Sequence, residues 1–134
     1  MDPSDLLGPL EAEVMRVMWE KEQATVRQVV GSLQARRSVA YTTVMTIMSN
    51  LVGKGLLRRV PEGKAYSYTV ALSREAFLEQ KSREAVSEVI TRFGDLAIAR
   101  FMEAVARLEP DDLERLRQLA TQKGLERKDK GGST

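Results

Sequence analysis

The chain has 134 residues, of which 43% are hydrophobic and 30% charged, and its formal net charge is +2. That length suits one compact domain, or a small domain with an accessory element, and no apolar run approaches the roughly 20 residues that span a bilayer. Cys is absent, which excludes disulfides and thiolate metal sites, and so is His, the commonest general base. We therefore expect no catalysis, no metal and no cofactor. The N-terminus lacks the features of a signal peptide, which predicts a cytoplasmic protein.

Two amphipathic helices are predicted before residue 36. The first begins at Pro9, since the first turn of a helix tolerates the missing N–H of proline, and ends near Glu22. Its apolar stripe is Leu10, Val14, Val17 and Met18. The second begins after Thr25, because TVRQ has the pattern of a capping box, and it ends near Ala35. Its apolar stripe is Val26, Val29, Val30 and Leu33. The short turn that follows is the length that a helix-turn-helix requires.

The third predicted helix lies within residues 38–57 and is stopped by Gly53 and Gly55. One stripe is apolar and should be buried: Val44, Ile47, Met48 and Leu51. The opposite side has small or flexible residues without charge: Thr42, Thr43, Met45, Thr46, Ser49 and Asn50. A solvated face would more usually carry Lys and Glu. This face therefore indicates a helix that approaches a DNA groove, although an ordinary amphipathic helix with an incidentally polar side remains open.

Base contacts are predicted along the uncharged side of this helix. A Thr offers a hydroxyl to a base edge or a methyl to thymine, and an Asn pairs with adenine through two hydrogen bonds. The absence of Arg favours an A/T-containing half-site over a guanine-rich one. The candidate base-reading residues are Thr42, Thr43, Met45, Thr46 and Asn50.

A basic hairpin is predicted after the third helix. Residues 56–60 and 65–70 are β-prone, the second run alternates with period 2, and a Pro/Gly turn joins them. Between Arg36 and Tyr68 there are six basic residues and one acid, a local net charge of +5, which is typical of a nucleic-acid binder. Ordinary solvated cations near turns are the alternative. The candidate phosphate contacts are Arg36, Arg37, Lys54, Arg58 and Lys64.

The remaining chain is predicted to be a helical dimerisation domain. A long helix should run from Ser73 to about Phe93, followed by a helix after Gly94 and another from Pro110. Three short amphipathic helices cannot easily close a core alone, so a second copy is the expected partner. The candidate dimer contacts are Phe77, Val86, Val89, Ile90, Phe101, Met102 and Val105. From residue 124 the sequence is polar and predicts a disordered tail.

The predicted fold is mainly α with a small β-hairpin. It comprises a winged helix-turn-helix domain over residues 1–72, the helical dimerisation domain over residues 73–123, and the tail over residues 124–134.

Four stretches resemble the penicillinase-repressor (BlaI/MecI) family of bacterial transcriptional regulators: LGPLEAEVMRVMW (residues 7–19), AYTTVMTIMSNL (residues 40–51), KGLL (residues 54–57) and GKAYSY (residues 63–68). The resemblance implies a homodimeric repressor that binds palindromic double-stranded operators of antibiotic-response genes such as β-lactamase. It also implies release when a membrane sensor metalloprotease system triggers cleavage of an Asn-Phe bond. The matching pair here is Arg100-Phe101, which departs from that pattern. Related copper-responsive repressors carry a cysteine cluster, and without Cys that route to metal sensing is excluded.

Three other functions are alternatives. A ligand-responsive regulator of the multiple-antibiotic-resistance type builds its dimer from helices on both sides of the winged helix, but only about eight residues precede the first helix here. A winged helix used as a protein-interaction module would predict an apolar patch in place of the threonine-rich face. An enzyme would need carboxylates for proton transfer, but the carboxylate pairs of this chain all lie at helix starts, where acids stabilise the helix dipole. These carboxylates are Glu11, Glu13, Asp111 and Asp112.

Overall fold

The computed structural model describes residues 6–130, with side chains through residue 122. The chain forms two compact units, Met1–Ala85 and Val86–Thr134. The first unit contains helices α1 (Pro9–Lys21), α2 (Val26–Gln34) and α3 (Tyr41–Gly53), strands β1 (Gln23–Ala24), β2 (Leu57–Glu62) and β3 (Ala65–Val70), and the start of α4 (Arg74–Phe93). The second contains the rest of α4, α5 (Asp95–Ala106) and α6 (Pro110–Lys130). The predicted fold class is confirmed, with one strand more than the hairpin.

Local sequence signals set the ends of α1 and α2. Pro9 opens α1, where its missing N–H costs nothing. At the start of α2, Thr25 Oγ1 accepts a hydrogen bond from the Gln28 backbone N–H (3.2 Å), and Gln28 Oε1 accepts one from the Thr25 N–H (2.9 Å). The predicted capping box is therefore confirmed. Apolar residues from α1, α2 and α3 form the centre of the core, which includes Met15, a fully buried residue outside the stripe predicted for the first helix.

The sheet has three antiparallel strands in the order β1-β3-β2. The two-residue β1, which the sequence did not predict, follows Glu22, whose φ of 68° is a conformation that side chains rarely adopt. The Glu22 carbonyl oxygen accepts a hydrogen bond from the Val70 N–H (3.0 Å), and Gln23 Nε2 donates one to Ser67 Oγ (3.0 Å). These contacts hold β1 against β3, so that the hairpin is anchored to the end of α1.

The division between the units lies inside α4, beyond the boundary predicted at residue 72. The reason is Phe77, which is 2% exposed and belongs to the core of the first unit. Its ring lies 5.8 Å from that of Trp19. The assignment of Phe77 to the dimer contacts is therefore corrected: in a single chain, the first unit already buries this side chain.

In the second unit, apolar side chains remain at the surface. Among its described side chains, α5 has no buried residue, and its Phe101 and Met102 are 69% and 67% exposed. Helix α6 continues through Gly124 to Lys130, where the sequence predicted a disordered tail, and residues 131–134 lie outside the described part. Residues 125–128 (LERK) are good helix formers, which is consistent with this continuation. Within residues 6–130, no helix is long and apolar enough to cross a bilayer.

Candidate nucleic-acid interface

Helix α3 has one buried side and one open side, as its sequence pattern predicts. Val44, Met48 and Leu51 have no solvent exposure, and Ile47 packs partly buried against the same core. The five candidate base-reading residues are all exposed, and we call them the reading face: Thr42, Thr43, Met45, Thr46 and Asn50. Because no charge lies on this surface, it can approach base edges without displacing an ion pair. The reading face thus has the chemistry of a protein surface that binds in the major groove of DNA.

One hydroxyl of the reading face already has a partner. Thr46 Oγ1 donates a hydrogen bond of 3.0 Å to the Thr42 backbone carbonyl, one helical turn earlier. Such back-bonding uses the hydroxyl proton but leaves the oxygen lone pairs and the methyl group available. In this conformation Thr46 can accept a hydrogen bond from a base or touch a thymine methyl, but it cannot donate. Of the two kinds of hydrogen bond that a Thr hydroxyl can form with a base, only the accepting one is open to Thr46.

The N-terminus of α3 is open to an anion. Its N-cap residue is Ala40, and no side chain caps the helix there. The first N–H groups of a helix have no partner within the helix, and they favour a negative charge. A DNA phosphate at this end would therefore gain backbone hydrogen bonds in addition to any side-chain contact.

The candidate phosphate contacts divide into two sets. Within the described side chains, Arg36, Arg58 and Lys64 are exposed and form no ion pair. Lys54 Nζ, in contrast, lies 2.9 and 2.7 Å from the two carboxylate oxygens of Glu11. Arg37 Nη1 lies 2.8 Å from Glu13 Oε2. Two of the five predicted cations are thus held by acids of α1 in the free protein.

The wing, which we define as residues 57–70, places further basic groups at the surface. Strands β2 and β3 are joined by the two-residue turn Gly63-Lys64, and Gly63 has a φ of 63°, which glycine adopts without strain. The Arg59 guanidinium lies 4.5 Å from the centre of the Tyr66 ring, and Tyr66 is half exposed. Arg59 was not among the predicted contacts. Its position on the wing makes Arg59 a further candidate for a phosphate contact. The sequence feature that indicates it is the local run of positive charge to which it belongs.

Three of the four carboxylates that could suggest catalysis have ion-pair partners. Glu11 and Glu13 hold Lys54 and Arg37, and Asp112 Oδ1 lies 3.1 Å from Arg115 Nη2. Over the described side chains, no group of three or more acidic residues could hold a metal ion. These acids therefore stabilise helix ends and contacts between helices.

The remaining candidate dimer contacts lie on α4 and α5. Val86, Val89 and Ile90 lie on one side of α4 and are each 43% exposed or more. Phe101 and Met102 are the most exposed large apolar residues of α5, and Val105 is partly buried. The possible cleavage pair Arg100-Phe101 lies inside α5, where Arg100 Nη1 contacts both carboxylate oxygens of Glu103 at 2.9 and 3.0 Å.

A short helix-turn-helix, an uncharged exposed face on its second helix and a basic hairpin next to it in the chain define a winged-helix DNA-binding protein. The sequence profile described as "Penicillinase repressor" matches residues 7–122. The chain therefore belongs to the penicillinase repressor family, whose members are DNA-binding transcriptional repressors and not enzymes.

The chain is similar to several individual proteins. The transcriptional regulator BlaI of Mycobacterium tuberculosis is 35% identical over 111 residues, which cover 81% of this chain and 80% of the relative. The methicillin resistance regulatory protein MecI of Mammaliicoccus sciuri is 24% identical over 117 residues, which cover 87% and 94%. The solution structure of the DNA-binding domain of the repressor BlaI is 26% identical, with a TM-score of 0.47, and covers 52% of this chain and 85% of that chain.

Proposed function

We propose that this protein is a homodimeric repressor that inserts α3 of each copy into the major groove of a palindromic operator. The observation that carries the proposal is the reading face, five exposed and uncharged residues on a helix whose opposite side packs Val44, Met48 and Leu51 into the core. Arg36, Arg58 and Lys64 then contact phosphates around it. Phosphate contacts fix the register of the protein on DNA, whereas the reading face selects the sequence.

A second copy of the chain covers the apolar surface of the second unit. Val86, Val89, Ile90, Phe101 and Met102 are all 43% exposed or more in one chain. Exposed apolar surface is unfavourable in water, and a large amount of it marks an interface. Most soluble homo-oligomers are twofold dimers, and a twofold dimer presents two reading helices to two inverted half-sites. The operator is therefore palindromic.

The regulated genes that we propose are antibiotic-response genes, such as those for β-lactamase. The support is the set of relatives, which are named for penicillinase repression and methicillin resistance. Their names describe those proteins, and for this chain the regulated genes follow from the family relationship alone. The test is whether the protein binds DNA upstream of such genes in its own genome.

Release from DNA by proteolysis in the dimerisation domain is the second part of the proposal. A membrane sensor metalloprotease system would initiate cleavage of the Arg100-Phe101 bond, which lies in the middle of α5. A helical peptide bond must unfold locally before a protease can bind it. Among the described side chains of α5 none is buried within one chain, so few contacts of that chain oppose the opening. In the proposed dimer Phe101 is covered, and cleavage requires this segment to leave the interface. Mass spectrometry of the protein from induced cells would identify the cleaved bond.

Truncation tests the dimeric mechanism. A fragment that ends at Ala85 retains Phe77 and the whole core of the first unit, so it should fold as a monomer. Its affinity for a palindromic duplex should fall strongly compared with that of the full chain, because two unlinked domains lose the advantage of a high effective concentration. A fragment that stays dimeric in light scattering at micromolar concentration, or that binds the palindrome as tightly as the full chain, would contradict the proposal.

A groove in the first unit favours a ligand-responsive regulator as a second candidate. It has a volume of about 930 Å³ and is lined by α1, α2 and the start of α4, with Trp19 on its wall. Trp19 is the only tryptophan, so its fluorescence would report a bound small molecule. Release of the intact protein from DNA by a small molecule would support this candidate, and release only after cleavage would support the leading one.

A further inference from the structure

Two acids of α1 hold the cations on either side of the reading helix. Arg37 lies in the turn that precedes α3, and Lys54 is the residue that caps its end. Their partners, Glu13 and Glu11, are two residues apart on α1. Helix α1 therefore reaches the cation before the reading face through Glu13 and the cation after it through Glu11.

The carboxylates are more enclosed than the cations they hold. The side chains of Glu11 and Glu13 are 18% and 23% exposed, whereas those of Lys54 and Arg37 are 54% and 50% exposed. Glu11 is further fixed by a hydrogen bond from the Gly8 backbone N–H to its Oε1 (3.3 Å). The acids are thus held on α1 and cannot easily withdraw, while the cations remain open to a phosphate.

We propose that Glu11 and Glu13 restrain the affinity of this protein for all DNA. A phosphate that reaches Lys54 or Arg37 meets a cation that is already neutralised, and the carboxylate stays beside it as a repelling charge. Binding then neutralises fewer phosphates than the number of cations around α3 suggests. The sequence-independent part of the affinity is lowered, whereas the reading face is unchanged. This inference rests on the proposed insertion of α3 into the major groove, which would bring Arg37 and Lys54, at the two ends of that helix, near the phosphates.

The test uses full-length Glu11→Gln and Glu13→Gln variants. Gln serves in a capping box as well as Glu does, so the start of α1 should be preserved. Affinity is measured against salt on a short duplex of random sequence. Each substitution should steepen the slope of log affinity against log salt by up to about 0.9, so that its gain in affinity is about 3- to 4-fold larger at 50 mM than at 200 mM salt. On a duplex that contains a selected operator, each substitution should raise the affinity by the same factor as on the random duplex.

A matched control removes the same charge from the same helix. Glu20 is an exposed acid of α1 that holds neither of the two cations, so Glu20→Gln should change the slope much less. A second control places Glu11→Gln in a Lys54→Gln background, where its effect should be clearly smaller because the cation that it frees is absent and only the relief of the repelling charge remains. That reduction separates a specific ion pair from a change in net charge.

The outcomes separate this inference from the proposed function. If the Glu11→Gln and Glu13→Gln variants melt like the wild type and bind no tighter than Glu20→Gln, the restraint does not exist. Weaker binding by these variants would also overturn it, since the acids would then be aiding the cations. If the wild-type protein binds no duplex at all, the proposed function itself fails, and the inference fails with it.

Discussion

The indole Nε1 of Trp19 donates a 3.0 Å hydrogen bond to the carbonyl oxygen of Leu72. This contact joins α1 to the segment that leaves the wing and enters α4. On the same ring, the guanidinium of Arg74 lies 5.5 Å from the ring centre, and Phe77 packs at 5.8 Å between ring centres. Trp19 therefore fixes the first turn of α4 on the core of the first unit.

Replacing Trp19 by Phe should lower the free energy of unfolding by about 1–2 kcal/mol, since the Leu72 carbonyl loses its donor and the smaller ring packs less well. Chemical denaturation followed by circular dichroism measures this change. Tyr41 is half exposed, so Tyr41→Phe is a matched surface control that should stay within about 0.5 kcal/mol of the wild type. If Trp19→Phe and Tyr41→Phe unfold at the same denaturant concentration, Trp19 does not stabilise this junction.

Dimerisation should depend on which side of α4 is changed. Ile90 lies on the apolar stripe with Val86 and Val89, whereas Thr91 points to the opposite side of the helix. Ile90→Glu places a charge in the proposed interface and should yield monomers, while Thr91→Glu should remain dimeric. Sedimentation or light scattering at micromolar concentration distinguishes them. If both variants have the same mass in solution, this face of α4 does not form the dimer interface.

The wing turn should contribute affinity without specificity. Lys64 is exposed at the tip of the hairpin, so Lys64→Ala should weaken binding to every duplex and reduce the salt slope by about 0.9. Lys21→Ala removes the same charge from the end of α1 and serves as the control. Fluorescence anisotropy on operator and random duplexes gives both quantities. A Lys64→Ala variant that keeps the wild-type salt slope but loses preference for one sequence would contradict a phosphate contact.

Local patterns in the sequence predicted the helices and the reading face. The capping box at Thr25 and the buried stripe of α3 depend on residues three or four positions apart, and such spacings are read directly from sequence. Because burial of Val44 and Leu51 fixes how α3 is rotated, exposure of Thr42 and Thr46 follows from the same pattern.

Contacts between distant parts of the chain could not be predicted in this way. Strand β1 has only two residues, and it pairs Gln23 with Thr69 of β3. The ion pair between Glu11 and Lys54 joins residues 43 positions apart. Phe77 was assigned to the dimer because it lies on the continuous apolar stripe of α4, and periodicity does not tell which surface covers each member of a stripe. Its burial depends on Trp19, which comes from the first helix.

Binding selection on randomised duplex DNA tests the central claim most directly. The full-length wild type should enrich one palindromic motif with A/T base pairs in each half-site. Asn50→Ala should lose the adenine preference at one position of each half, a contact worth about 1–3 kcal/mol, and Thr46→Ala should relax one or two neighbouring positions. Lys64→Ala should recover the wild-type motif at lower affinity. If Asn50→Ala and Thr46→Ala both recover the unchanged wild-type motif, α3 is not the helix that reads the operator.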